Sequence, residues 1–315
     1  MSRQRRFWVA LGLIAVKQRL TRGRVQTTAA PRLGGSLALP ASVSAALALA
    51  SLFTGGGFLP SAVAAEPPVA PKPLASAHAH NDYEHARPLY DALDHGFCSV
   101  EADIYLVDGK LLVAHNRPDV KPERTLEALY LDPLLAKVKA GGGSVYPGGP
   151  RFTLLIDLKS DGPQTYAVLA KTLARYAEML SVVRDGKLQP GAITVVISGN
   201  RPMKEVAAEK LRYGGIDGRM TDLASDTPAS LMPMISDNWA LHFRWRGVGE
   251  IPAEERAKLR EAVEKAHARG RTVRFWNIPA NPAIWGELSA AGVDLINTDD
   301  LAGLETFLRE REAKK

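Results

Sequence analysis

The sequence predicts an α/β protein of (β/α)8, or TIM-barrel, class over residues 74–311, preceded by a leader (1–65) and a Pro-rich linker (66–73). Three observations predict it. From Leu74 onward, short apolar runs alternate with longer amphipathic stretches, as βα units around a parallel sheet do. About 240 residues carry that alternation, which suits eight such units in one barrel of ordinary size. Polar side chains able to do chemistry gather at the C-terminal ends of the apolar runs, where barrels of this class build their sites. A doubly wound sheet is the second architecture, but no Gly-rich dinucleotide turn follows the first run.

Each element follows from its local pattern. Leu74–His80 reads as the first strand, Ala86–His95 as a helix closed by Gly96, and Ser99–Leu106 as the second strand. Asp108-Gly109 is a hairpin turn, so Lys110–His115 extends that strand by a small antiparallel arm. Thr125–Ala140 is helical, Phe152–Lys159 is the third strand, and apolar residues at three-and-four spacing from Tyr166 to Leu180 make the next helix. Ala192–Ser198, rich in β-branched residues, is the fourth strand. Between Leu211 and Arg246 the pattern supports Tyr213–Ile216 as the fifth strand, with Met232–Ser236 and Leu241–Trp245 as further strands. A helix over Ala253–Ala268, a strand Thr272–Ile278, a helix Ala283–Ala291, a strand Asp294–Thr298 and a helix to Arg311 complete the barrel.

Charge is distributed unevenly. The formal net charge is +6, but residues 1–65 hold eight basic groups and no acidic one, leaving 32 basic against 34 acidic groups in residues 66–315. A nucleic-acid partner thereby loses its electrostatic support. Basic residues through Arg32, the apolar stretch Ser36–Phe53 and the small residues Ala62-Val63-Ala64-Ala65 are ordered as in a secretory signal cleaved near residue 65, so export to a periplasmic or extracellular space is expected. Pro40 and Gly55-Gly56-Gly57 shorten the apolar run below a membrane span. The single cysteine, Cys98, excludes an intramolecular disulfide and a thiolate metal centre, and its apolar context marks a core position.

The strand ends carry a dense set of donors. Strand one ends in His78-Ala79-His80-Asn81-Asp82, strand two contains Glu101-Ala102-Asp103, its arm ends at His115, and strand three ends in Asp157-Leu158-Lys159. Side chains two apart share a strand face, so Glu101 points with Asp103 and Asp157 with Lys159. Inward carboxylates crowded in an apolar barrel are costly unless a cation joins them. Three carboxylates without cysteine favour one hard divalent cation, Mg2+ or Ca2+, with Glu101, Asp103 and Asp157 as ligands. Such a site stabilises charge developing at phosphorus, with Lys159 as a second positive point and two histidines for proton transfer. His78 and His80 share a parity, and His80 lies nearer the strand end; His85, His95, His242 and His267 read as structural. Asn81, Asn200, Arg274 and Trp276 lie near other strand ends as candidate substrate contacts.

At these residues the sequence resembles the glycerophosphodiester phosphodiesterase superfamily, which includes phosphatidylinositol-specific phospholipase C and the sphingomyelinase D toxins. The resemblance runs through Val100–Ile104, Asp108–His115, Leu155–Lys159, Phe275-Trp276-Asn277 and Ala291–Asp299. It implies His80 and His115 as the acid/base pair and Glu101, Asp103 and Asp157 as ligands of Mg2+ or Ca2+. Two departures stand out: Asn81-Asp82 replaces the family's Arg-Gly, with Arg274 a candidate for the missing phosphate contact, and the link Asn116–Arg124 is short. The leading expectation is a secreted phosphodiesterase acting on a small or lipid-derived, glycerophosphodiester-like substrate. The alternatives are a phospholipase-D-like enzyme that forms a cyclic phosphate and a non-catalytic phosphoester-binding barrel. No feature specifies approach to a membrane surface.

Overall fold

Eight parallel strands follow one another round a closed ring, and their C-terminal ends form a single rim. They are β1 (Leu74–Ala79), β2 (Phe97–Val107), β3 (Phe152–Leu158), β4 (Ile193–Gly199), β5 (Gly214–Gly218), β6 (Met234–Asn238), β7 (Thr272–Trp276) and β8 (Leu295–Thr298). A computed structural model describes residues 71–314; the expected leader and most of the linker lie outside the described residues. Closure comes from β1, which pairs in parallel with both β2 and β8. The arm Lys110–Val113 runs antiparallel to the end of β2, pairing Ile104 with Val113, as the Asp108-Gly109 turn requires. No helix among the described residues is long and apolar enough to cross a membrane.

Helices α1 (Tyr90–Asp94), α2 (Asp132–Ala140), α3 (Gly162–Ala174), α4 (Met203–Ala208), α5 (Trp239–His242), α6 (Ala253–His267), α7 (Pro282–Ala291) and α8 (Leu301–Ala313) lie between or after the strands. The larger core fills the space between strands and helices, taking Val100, Ala102, Ile104, Leu154, Ile156 and Ile197 from the outward strand faces. A second, small cluster sits apart from it: Leu155, Val196, Met234 and Leu295, on β3, β4, β6 and β8. These side chains plug the barrel interior, and the alternation of a strand puts Asp157, Ser198, Ser236 and Asn297, each two residues on, in the next layer toward the rim. The apolar plug thus excludes water beneath a polar floor.

Four expectations needed correction. The helix expected over Ala86–His95 is confined to Tyr90–Asp94, because Pro88 disfavours helix before it and Leu89 enters with φ 65°. Leu241–Trp245 is not a strand: the Asn238 side chain accepts from Ala240 N and starts the turn α5, whose Trp239 and Phe243 pack on Phe275. The helix expected over Thr125–Ala140 opens with a wide π turn at Glu127–Leu131, where Pro133 has no N–H to donate backward. The crossover from β5 to β6 has only the 3-10 turn Met220–Asp222 and no α-helix. Buried Arg271, at the foot of β7, holds that irregular stretch by donating to the carbonyls of Asp222, Ser225 and Thr227. A three-stranded sheet of Val182–Arg184, Lys187–Gln189 and Leu211–Arg212 had no sequence counterpart, since its strands have only two or three residues.

Candidate active site

Parallel pairing of β2 with β3 sets Asp103 opposite Asp157, and alternation adds Glu101 on the same face. Ligand atoms of the three carboxylates lie within 4.8 Å of one another. Their surroundings split their ionisation. Burial raises the Glu101 pKa, but Arg274, 2.6 Å from Oε2, and the hydrogen bond with His78 outweigh it and hold Glu101 well below the carboxylate range. Burial, then the Glu101 charge, pushes Asp103 up to about 7, and burial raises Asp157 as well. Lys159 Nζ lies 3.0 Å from Asp103 Oδ2 and 3.3 Å from Asp157 Oδ1; burial opposes its charge, yet the two acids keep its pKa above the ordinary value.

These residues fit a hard divalent cation. Asp103 Oδ1 is buried without a hydrogen bond or ion pair among the described residues, and Asp157 Oδ1 has only Lys159 at 3.3 Å, an arrangement that leaves anionic lone pairs for a cation to take. The bulge of space that admits Asp157 exists because residue 199 is glycine: it holds φ +69°, and a Cβ there would collide with Asp157 Oδ1. Three oxygen ligands on two neighbouring strands leave room for water and substrate oxygens on the cavity side.

Each candidate histidine is tied through Nδ1. His80, just past β1, lies 2.8 Å from Asp299 Oδ1, and Asn81 Nδ2 sits 3.1 Å from the same ring nitrogen. His115, past the antiparallel arm, lies 2.9 Å from the Tyr83 hydroxyl. That hydroxyl is also 2.6 Å from Asp103 Oδ2, and burial followed by the Asp103 charge raises its pKa far beyond the ordinary value, so it keeps its proton and donates to the carboxylate. Its lone pair then accepts Nδ1–H of His115. With Nδ1 occupied in both rings, Nε2 is the nitrogen left for proton transfer. His78, by contrast, is fully buried between Ser99 Oγ at 2.7 Å and Glu101 Oε2 at 3.4 Å, and burial lowers its pKa to about 3. It orients Glu101 as a neutral ring.

A cavity of about 410 Å³ opens at the rim above this floor. His80, Asn81, Glu101, His115, Asp157, Lys159, Arg274 and Trp276 all line it, while Asp103 sits just behind. Asn200 does not line it: its side chain turns away and donates to the Ser160 carbonyl, so the substrate-contact reading is corrected to a loop brace. Arg274 reaches the cavity, but its Nη2 and Nε are occupied by Glu101 and Asn297, making it a strut across the barrel more than a free phosphate ligand. Asn81 takes the left-handed conformation (φ 47°), and buried Asp82 accepts from Leu89 N and the Tyr130 hydroxyl, which accounts physically for the unusual Asn-Asp pair. Ser198, Arg219, Asn277, Asn297 and Asp299 also line the cavity without having been singled out as site residues, and Tyr83 was left unplaced. Only the parity of Ser198 and Asn297 with the apolar plug would have flagged any of them.

The model of the AIM6-like phosphodiesterase domain matches residues 69–142 and 145–214, and that of the Glycerophosphoryl diester phosphodiesterase family matches residues 272–302. Altered inheritance of mitochondria protein 6 homolog of Arthroderma benhamiae is 29% identical over 259 residues, covering 71% of this chain and 81% of that protein. Altered inheritance of mitochondria protein 6 of Eremothecium gossypii is 30% identical over 270 residues, 74% of this chain and 69% of that protein. Similar solved structures include a glycerophosphodiester phosphodiesterase from Parabacteroides distasonis, with 14% identity, a TM-score of 0.46 and coverage of 76% of this chain and 99% of that one. Another, described as a putative glycerophosphoryl diester phosphodiesterase from Silicibacter pomeroyi, has 14% identity, a TM-score of 0.47 and coverage of 77% and 95%. With a family match running from β1 through β4 and a relative sharing 30% identity over most of its own length, the chain belongs to the AIM6-like phosphodiesterase family.

Proposed function

We propose that this protein is an exported, metal-dependent phosphoric diester hydrolase acting on a small or lipid-derived glycerophosphodiester. The observation that carries the reading is the pairing of a three-carboxylate cluster with two histidines whose Nδ1 atoms are both held, all at one mouth. When bound by Glu101, Asp103 and Asp157, Mg2+ or Ca2+ supplies positive charge to a phosphoryl oxygen. Lys159 adds a second charge beside it and steadies Asp103 and Asp157. One imidazole Nε2 accepts a proton from the attacking water, and the other gives a proton to the departing alkoxide, so a diester and water become a monoester and an alcohol. Asp299 and Tyr83 hold Nδ1 of each ring, so the base is the neutral ring with a free Nε2 and the acid is the imidazolium that carries a proton on Nε2 as well. Trp276 offers an apolar wall to the substrate's carbon skeleton. A near-neutral charge over residues 66–315 supports a small substrate over nucleic acid.

The test is turnover of a panel of glycerophosphodiesters by the full chain, with phosphorus NMR of products, with and without EDTA, and in His115→Ala. Monoester formation that stops on chelation and in the variant is expected; activity indifferent to both overturns the reading. A persistent cyclic phosphate would instead identify an internal hydroxyl as the attacking group. Export rests on the leader pattern in residues 1–65 and is checked by sequencing the N-terminus of the secreted protein: a start near residue 66 supports it, and retention of residue 1 opposes it.

A further inference from the structure

We infer that the wall of the mouth opposite the histidines is a second oxyanion site, where Arg219 receives a phosphate or carboxylate group carried by one of the substrate's alcohols. The inference rests on the phosphodiesterase reading and names the class of substrate within it. Arg219 directly follows β5, which lies four strands from β1 in either direction round the ring and therefore faces His80 across the cavity. Every hydrogen bond its side chain makes among the described residues runs through Nη1, to Asp217 Oδ2 at 2.6 Å and to the carbonyls of Gly218 and Ser236 at 3.0 Å each. Asp217 is fully buried and fixed in turn by Ser198 Oγ at 2.7 Å.

The guanidinium is thus clamped through Nη1, which leaves Nε and Nη2 without a hydrogen bond among the described residues, in a side chain that lines the cavity. Two parallel N–H groups on a rigid plane match a carboxylate or phosphate. Neighbouring acids do not take that edge: Asp222 accepts from the backbone N of Arg219, and Asp237 accepts from Met220 N and Asn238 N and pairs with His242. Arg201, donating to the Asp217 carbonyl, adds a second positive group to the one carboxylate. The strand order favours an occupant other than the reacting phosphate: β5, which Arg219 follows, lies two strand spacings, roughly 10 Å, from β3, which carries Asp157.

Three diesters test this with the full-length protein: glycerophosphoglycerol, the same compound with a phosphomonoester on its terminal hydroxyl, and glycerophosphoglycerate with a terminal carboxylate. A charged partner for Arg219 should favour at least one oxyanion-bearing diester over the neutral one by about tenfold to a hundredfold in kcat/KM, and the arm that wins identifies phosphate or carboxylate. Arg219→Gln should remove that preference, and Arg219→Lys, which keeps Asp217 paired if the Gln variant folds poorly, should retain only part of it. Equal kcat/KM for all three in the wild type, or an undiminished preference in Arg219→Gln, overturns the inference. If no diester is turned over, the phosphodiesterase reading fails by itself. Calorimetric affinities of the same compounds then decide the anion site: tighter binding of a charged one supports it and equal affinities overturn it.

Discussion

The two walls of the mouth are built on opposite principles. On the β1–β3 wall, ionisable groups crowd together in unlike states: Glu101 is held ionised by Arg274, while burial drives Asp103 and Asp157 toward their protons. Nearly every atom there is fixed by a short-range partner, down to the single phenol that joins His115 to Asp103. On the β4–β6 wall, Ser198, Asp217 and Arg219 form one compensated pair with a hydroxyl support, and Arg219 is the charged residue there that lines the cavity among the described residues. On the reading proposed above, the difference teaches that the first wall is organised to move protons and the second to recognise a shape and a charge.

Substitutions can break or sharpen that contrast. The largest effect belongs to His115→Ala, which should lower kcat by about 10^2 to 10^4 while leaving the ratio among alternative substrates in place, because proton transfer and recognition sit on separate walls. Comparable loss of that ratio in steady-state assays would erase the distinction. Tyr83→Phe removes a positioning hydroxyl without touching substrate; kcat should fall about 10- to 100-fold with little change in KM, and nitrogen NMR should show the His115 tautomer mixture shifting. An unchanged tautomer would disconnect Tyr83 from the histidine. Gly199→Ala pushes on Asp157 and forces a left-handed alanine, so cation affinity measured by calorimetry should weaken by about tenfold. Unaltered affinity would remove Asp157 from the ligand set.

The smallest predicted effect lies outside the chemistry. Burial raises Asp82 from an ordinary 3.8 to about 6, so the folded state binds its proton more tightly than the unfolded chain. Its stabilising contribution is therefore present below about pH 4 and is lost as pH rises through 6, by roughly 3 kcal/mol across that interval. Asp82→Asn cannot ionise and still accepts from Leu89 N and Tyr130; denaturant melts of the variant should be flatter between pH 4 and 6. A slope identical to wild type would show that Asp82 stays ionised throughout.

Much of the first wall was legible because a strand repeats every two residues: Glu101 and Asp103, and the layer that brings Asp157 beside them, follow from that period alone. His80 was separable from His78 by its place at the strand end, and the structure adds the complement, a buried His78 bracing Glu101. The second wall was hidden. Ser198 and Asp217 are lone polar residues in apolar strands, and Arg219 gains meaning only from Ser236 and Asp217 on neighbouring strands, which is long-range information. Asn200 misled for the converse reason, since a turn residue beside a rim carries no sign of which way its amide faces. Short elements such as α1 and α5 depended on Leu89 and Asn238, single residues whose backbone state or capping bond overrides periodicity. Cys98 behaved as its surroundings required, buried and with burial pushing its thiol up to about 12.

The helix-free crossover from β5 to β6 bears on how such a barrel diversifies. Arg271 grips three carbonyls in the middle of that stretch, while Asp217 secures its start through Arg219, so the segment is held at two points without belonging to the helical shell. Insertions and deletions between those anchors need not disturb β1 to β3. A lineage carrying this arrangement is free to vary one wall of the mouth while inheriting the carboxylate and histidine cluster of the other unchanged.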